Sequence, residues 1–158
     1  MAAIRHCPCT SGLPYRECCA PYHRGDEPPD CETLMRTRFS AFALHDDDYL
    51  WRTLHPDHAD RSRPRDLYRR AIRGSVVRYM RLAILDHGPP DEAGIGQVLF
   101  LARVFERGKE LSFVELSDFQ HDGVGFRYLR GVPLPRSSIA GDPERLTIES
   151  FKALVKRS

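Results

Sequence analysis

From residue 31 onward the chain carries two apolar rhythms in succession, first helical and then strand-like. Between Cys31 and Leu44, the residues Met35, Phe39 and Phe42 recur at helical spacing, which predicts a helix with Asp30 as its cap. Arg36 and Arg38 are expected to point away from that stripe. His45-Asp46-Asp47-Asp48 ends this helix and starts a second at Tyr49, where carboxylates suit the positive end of the helix dipole. Pro56 stops the second helix, and a third is predicted over Asp66 to Ile72, closing at Gly74.

The strand rhythm begins at Ser75. Ser75 to Asp86 is rich in Val, Tyr, Leu and Ile on both faces, as in a covered strand. After the loop Gly88-Pro89-Pro90-Asp91-Glu92, strands are predicted over Gln97 to Phe105 and Glu110 to Phe119. Glu106-Arg107-Gly108-Lys109 between them is a hairpin signal. Asp122-Gly123 marks another tight turn before a strand from Phe126 to Val132. Pro133 to Pro143 reads as loop and Thr147 to Lys156 as a terminal helix. Helices first and a strand meander afterwards describe an α+β domain.

Composition narrows the class. The chain has 158 residues, 41% of them apolar and 29% charged, with a net charge of +2. That suits one compact domain with a small appendage and excludes collagenous or wholly disordered chains. No apolar run approaches the ~20 residues that cross a bilayer. The opening Met-Ala-Ala-Ile-Arg-His-Cys has no apolar core of a secretory signal, so a cytoplasmic location is expected.

The chemistry is concentrated at the amino end. Four of the five cysteines fall within 19 residues: Cys7, Cys9, Cys18 and Cys19. Neighbouring cysteines make strained disulfides, whereas four thiolates on a short loop suit a tetrahedral metal, zinc above all. Iron–sulfur ligation fits this spacing less well, and a redox pair would want Cys-x-x-Cys beside a helix. Ser11-Gly12 and Pro14 supply the bends, and Tyr15 can pack over the site. With so little apolar surface of its own, the segment would draw its folding energy from the metal. His6 and His23 are rival ligands, and His23 reads as a surface residue. Cys31 reads as a small half-buried residue at a helix start. Residues 20 to 30, with Pro21, Gly25, Pro28 and Pro29, form a linker.

Cys7-Pro8-Cys9-Thr10-Ser11-Gly12-Leu13-Pro14-Tyr15-Arg16-Glu17-Cys18-Cys19 resembles the SEC-C zinc motif found at the end of the SecA export ATPase. The resemblance implies structural Zn2+ on Cys7, Cys9, Cys18 and Cys19. The chain departs from it at Thr10, where the motif has glycine, and at Leu13, where it has lysine. Less basic charge than usual therefore surrounds the site. Leu34-Met35-Arg36-Thr37-Arg38-Phe39-Ser40-Ala41-Phe42, Asp48-Tyr49-Leu50 and Leu54-His55-Pro56 extend the likeness to the bacterial YchJ family. That likeness covers roughly residues 7 to 132 and is strongest to residue 56. It implies a nuclear-transport-factor-2-like, SnoaL-like cone, with helices packed on a curved antiparallel sheet around a cavity. Two departures stand out: Tyr79-Met80 replaces a usual tryptophan, and the Val114 to Phe119 segment lacks a usual histidine. The implied division is a metal motif at 1–25, the cone domain at 26–135 and a tail with a short helix at 136–158.

Candidate polar groups for the cavity are Asp48, His55, Glu115, Ser117 and Asp118. Alternation puts Glu115, Phe113 and Ser117 on one strand face, inside the cone, and Asp118 on the other. A buried Glu115 could act as a base with His55 as partner, or could meet an arginine. No catalytic motif or phosphate-cradling glycine loop accompanies them, so the enzyme reading stays secondary. Residues 61 to 81 hold eight arginines, including Arg61, Arg63, Arg65, Arg69, Arg70 and Arg73, against one acid, Asp66. Such a run can bind an anionic partner or form a solvated face paired with acids such as Asp46 and Asp47. The expected function is non-enzymatic: a zinc module docking to a protein or ribonucleoprotein partner. The SecA analogue, which contacts the SecB chaperone and the ribosome, makes export or translation conceivable. The competing expectation is a small-ligand binder or enzyme using the cone cavity.

Overall fold

A computed structural model describes residues 6–157, so the first five residues of the predicted metal motif and the last of the tail lie outside the described residues. After a single 3-10 turn over Tyr15–Glu17 come α1 (Ala20–His23), α2 (Cys31–Ala43), α3 (Asp47–Arg52) and α4 (Arg65–Arg73). The strands β1 (Val77–Gly88), β2 (Ile95–Glu106), β3 (Lys109–Glu110), β4 (Phe113–His121) and β5 (Phe126–Pro135) follow, and α5 (Ile148–Arg157) ends the chain. All strands pair antiparallel in the order β1-β2-β4-β5, with β3 folded back on the end of β2.

Strand alternation divides the core between two faces. Val98, Phe100, Ala102 and Val104 of β2 pack with Leu34, Met35 and Phe39 of α2. Leu99 and Leu101 of the same strand face the other way and pack with Val114, Leu116 and Phe151 of α5. A strand covered on both sides reads as a continuous apolar run, which is why β2 shows no polar stripe. Leu34 and Leu99 are fully enclosed, each worth about 2 kcal/mol of burial. On its far side α2 packs against α3 and α4 through Ala41, Tyr49, Leu50 and Ile72. Register shifts in β1, after Tyr79 and Ile84, and between Asp118 and Phe119 of β4 bend the sheet around α2.

Several boundaries move from the sequence expectation for physical reasons. The Asp30 carboxylate accepts from Thr33 N at 2.7 Å and starts α2 as predicted. The second helix begins two residues early, because Asp46 caps it by accepting from Tyr49 N, and it ends at Arg52, before Pro56. The strand predicted from Glu110 onward is broken at Leu111-Ser112, where Ser112 Oγ accepts from Val104 N and donates to Glu110. Pro133 and Pro135 belong to β5, not to a loop, since β5 is an edge strand and a proline there forfeits no ladder bond on its open side.

Both open edges of the sheet are contacted. At β1, Leu82 N donates to Thr10 Oγ1 at 3.1 Å and Thr10 Oγ1 donates to Leu82 O at 3.2 Å. At β5, Tyr128 N donates to Thr53 O and His55 N to Tyr128 O, each at 2.8 Å.

Candidate metal centre and the cleft of the domain

The cysteine loop folds through its turns. Cys7 N donates to Leu13 O at 2.9 Å and Thr10 N to Cys7 O at 3.0 Å, closing a tight double bend. Thr10 and Gly12 take positive φ, 62° and 91°, to reverse the chain. The 3-10 turn at Tyr15 then brings Cys18 and Cys19 back beside Cys7 and Cys9, and α1 starts directly after Cys19.

The four sulfurs all lie within 4.8 Å of one another. Cys9 and Cys18 Sγ are 3.6 Å apart and Cys18 and Cys19 Sγ 3.9 Å. A tetrahedron of sulfurs about 2.3 Å from a central zinc has edges of about 3.8 Å, so the donor set fits the ion. The same distances far exceed the ~2.05 Å of a disulfide, and all five cysteines are free. Cys7, Cys9 and Cys19 are buried, and Ser11 Oγ lies 3.2 Å from Cys18 Sγ. Hydrogen bonds from Cys19 and Cys7 pull the Cys9 thiol far below its ordinary range. Its contacts with Cys7 and Cys9, then burial, push Cys19 far above.

The loop is joined to the main domain by specific polar contacts. His23 is where the sequence expectation fails: it is partly buried between the module and α2, not a surface residue. Its Nε2 lies 2.8 Å from Thr37 O, an acceptor, so Nε2 carries the proton and Nδ1 accepts from Tyr15 Oη at 2.7 Å. Both ring nitrogens are occupied, and burial holds the imidazole pKa down, keeping it neutral. The ring also sits 4.6 Å from that of Tyr49. Arg52 Nη2 donates to Tyr22 O at 3.1 Å. His6 is exposed and outside the sulfur cluster. Cys31 is buried rather than half-buried, its sulfur facing the backbone of Gly96.

Inside the domain, Glu115 and Ser117 share the α2 face of β4, as alternation requires. Glu115 Oε2 accepts from Ser117 Oγ at 2.6 Å and from Tyr128 Oη at 3.0 Å. The carboxylate rests against Gly131, where a Cβ would overlap both Glu115 and Tyr128. Burial raises the Glu115 pKa, and the two hydroxyls and the Arg38 charge oppose the rise. Asp118, on the opposite face, accepts from Gln97 at 2.8 Å and pairs with Arg130 at 2.9 Å. Asp48 is exposed and pairs with Arg65.

His55 does not join Glu115. It is buried with Nδ1 accepting from Asp57 N, and it lines neither cleft described below. The histidine at the cleft is His58, whose ring lies 5.3 Å from that of Tyr128. Arg38 corrects the expectation more sharply, since only 3% of it is exposed. The signal was available: Arg38 is three residues from Met35 and four from Leu34, inside the apolar stripe it seemed to avoid.

Two adjoining clefts share Arg38, Phe42 and Tyr128. The inner one, about 140 Å³, also has Met35, Phe39, Phe100, Phe113 and Glu115 in its wall. The outer one, about 460 Å³, opens between α4 and the segment around His58.

The arginine run is mostly engaged locally. Arg65 pairs with Asp48 at 2.7 Å, Arg73 with Asp47 at 2.6 Å, and Arg69 and Arg70 with Asp66 at 3.6 and 2.8 Å. Arg61 stacks over Trp51 at 4.9 Å and donates to Leu54 O. Arg63 is exposed at the outer cleft.

A cysteine knob of SEC-C type joined to a nuclear-transport-factor-2-like (NTF2-like) α+β domain is the class this architecture defines. The comparisons agree. Residues 30–131 match the family described as YchJ, middle NTF2-like domain. The UPF0225 protein YchJ of Shigella dysenteriae serotype 1 (strain Sd197) is 36% identical over 127 residues, spanning 79% of this chain and 81% of that protein. The chain belongs to the YchJ family. Among solved structures, a SEC-C motif containing protein from Rhodopseudomonas palustris is 29% identical with a TM-score of 0.67, covering 80% of this chain and 97% of that one. A sec-c motif containing protein from Psychrobacter arcticus is 26% identical with a TM-score of 0.67, covering 81% and 82%.

Proposed function

We propose that Cys7, Cys9, Cys18 and Cys19 hold one structural Zn2+, and that the chain is a non-catalytic binding protein whose metal knob docks to a macromolecular partner. The observation that carries this is the sulfur cluster, with all four donors within 4.8 Å. Four thiolates fill a tetrahedral shell and leave no position for substrate, which makes the role structural. The contacts of Thr10 and His23 support a knob held in fixed orientation on the domain. Leu13, 51% exposed beside the exposed Ser11 and Gly12, gives its tip an apolar point for contact. The local pairing of Arg65, Arg69, Arg70 and Arg73 favours a protein partner over the phosphates of a ribonucleoprotein. Glu115 bonds Ser117 and Tyr128 instead of His55, which leaves the acid–base pair allowed by the sequence unassembled.

Metal content and partner capture test this together. Protein purified with zinc present should carry one ion per chain, and Cys18→Ser should lose it. Tagged protein recovered from its native cell should lose its partner both with that substitution and after chelation. Absence of metal, or identical capture with and without chelator, would overturn the proposal.

A further inference from the structure

We infer that the inner cleft is a receptor for a small carboxylate with an apolar body, the size of an aromatic acid, recognised by Arg38. This goes beyond the zinc reading and does not depend on it.

Arg38 is a guanidinium almost wholly removed from solvent, and no Asp or Glu oxygen among the described residues lies within 4.0 Å of it. Its Nη1 donates to Leu50 O at 3.0 Å and to Thr53 Oγ1 at 2.7 Å. Those neutral acceptors fix the group without neutralising it. Nε and Nη2 have no hydrogen-bond acceptor among the described residues, yet neither is a sealed, unsatisfied atom, and Arg38 lines both adjoining clefts. A buried charge with no ion-pair partner within 4.0 Å among the described residues is costly, and a bound anion would offset that cost. The guanidinium carbon lies 4.8 Å from the Tyr128 ring centroid and 5.8 Å from that of Phe42, which holds its plane within an aromatic frame.

The surroundings define the rest of the ligand. Met35, Phe39, Phe100 and Phe113 make the inner wall apolar, as a hydrocarbon or aromatic body requires. The one free guanidinium edge, with N–H donors on Nε and Nη2, matches one carboxylate in a planar, bidentate pair. A phosphate dianion would want more cations or a backbone nest, and Glu115 stands in the same wall. Oε2 of Glu115 is held by Ser117 and Tyr128, which leaves Oε1 without a protein partner among the described residues. Burial raises the Glu115 pKa, which lessens its opposition to a neighbouring carboxylate. Asp60 sits at the outer mouth, 3.9 Å from His58, outside ion-pair range of Arg38.

The full chain, purified with zinc present, is titrated with benzoate, with benzamide as neutral isostere and inorganic phosphate as competing anion. Thermal shift and NMR read the response. Benzoate should raise the melting temperature with dose and move the resonances of Arg38, Phe39 and Tyr128, and benzamide and phosphate should do neither. Arg38→Lys keeps the charge, loses the planar fork, and should weaken benzoate binding at least about tenfold. If that variant does not fold, the benzoate–benzamide comparison in the unsubstituted protein decides alone. No response to benzoate, an equal response to benzamide or phosphate, or full affinity in a folded Arg38→Lys protein would each overturn the inference. None of these readouts depends on metal content, so this idea and the zinc proposal fail separately.

Discussion

Removing the metal proposed for the cysteine cluster should destabilise not only the knob but the domain beneath it, by an amount the contacts allow us to work out. The cysteine cluster has little apolar company besides Tyr15, so without an ion the segment from His6 to Cys19 has no core to hold it. When it unfolds, the domain loses the two hydrogen bonds between Thr10 and Leu82. At about 1 kcal/mol each these total about 2 kcal/mol. For a chain of this size that lowers the melting temperature by about 4–8 °C. The assay is thermal unfolding followed by near-ultraviolet circular dichroism, before and after chelation, with amide exchange measured at Leu82. The melting point should drop by that amount while a cooperative transition persists, and the Leu82 amide should lose protection. An unchanged melting point together with unchanged protection at Leu82 would show that the knob is not coupled to the sheet.

Three further outcomes follow from single contacts. Thr10→Ala loses both Leu82 bonds but keeps the left-handed strain and should cost about 2 kcal/mol, whereas Thr10→Gly relieves that strain and should cost about 1; chemical denaturation giving the reverse order would sink the account. Arg127→Met strands the carboxylates of Glu27 and Asp122, 2.8 and 3.0 Å from the guanidinium, and should cost about 3 kcal/mol by urea denaturation, with no change counting against it. Glu115 has a raised folded pKa, so its contribution is fully present below the ordinary value of 4.5 and is lost as pH rises through the folded value. The stability of the unsubstituted protein relative to Glu115→Gln should therefore fall between acid and neutral pH; a constant or growing difference across a pH series would refute the burial argument.

What the sequence revealed and what it hid divide along physical lines. The order of elements was legible because strong local signals mark it: Asp30 before α2, Arg107-Gly108 with both residues at positive φ, and the apolar run of β2. The grouping of cysteines was legible because ligands close in sequence need only turns to meet. His23 and His58 were not, since each owes its place to a surface from a distant part of the chain, and Arg38 was legible only by its position in the apolar stripe. A charged residue in an apolar stripe looks like the end of the stripe until a second layer, here α3 and Tyr128, covers it. His55 and His58 are both near Pro56, and only the bond between His55 N and Tyr128 O decides which ring reaches the cleft. Pro133 and Pro135 mimicked a loop because a one-dimensional pattern does not tell an edge strand from a central one.

The two rims of the sheet differ in how they are stoppered. At β5 the stopper is main chain contiguous with α3, so it stays as long as the domain is folded. At β1 it is the hydroxyl of Thr10, carried on a segment whose order depends on the sulfur cluster. Loss of order in that segment would bare the middle of β1, turning a contacted rim into a ready template for another strand. Self-association would then be directional, beginning along β1 rather than β5.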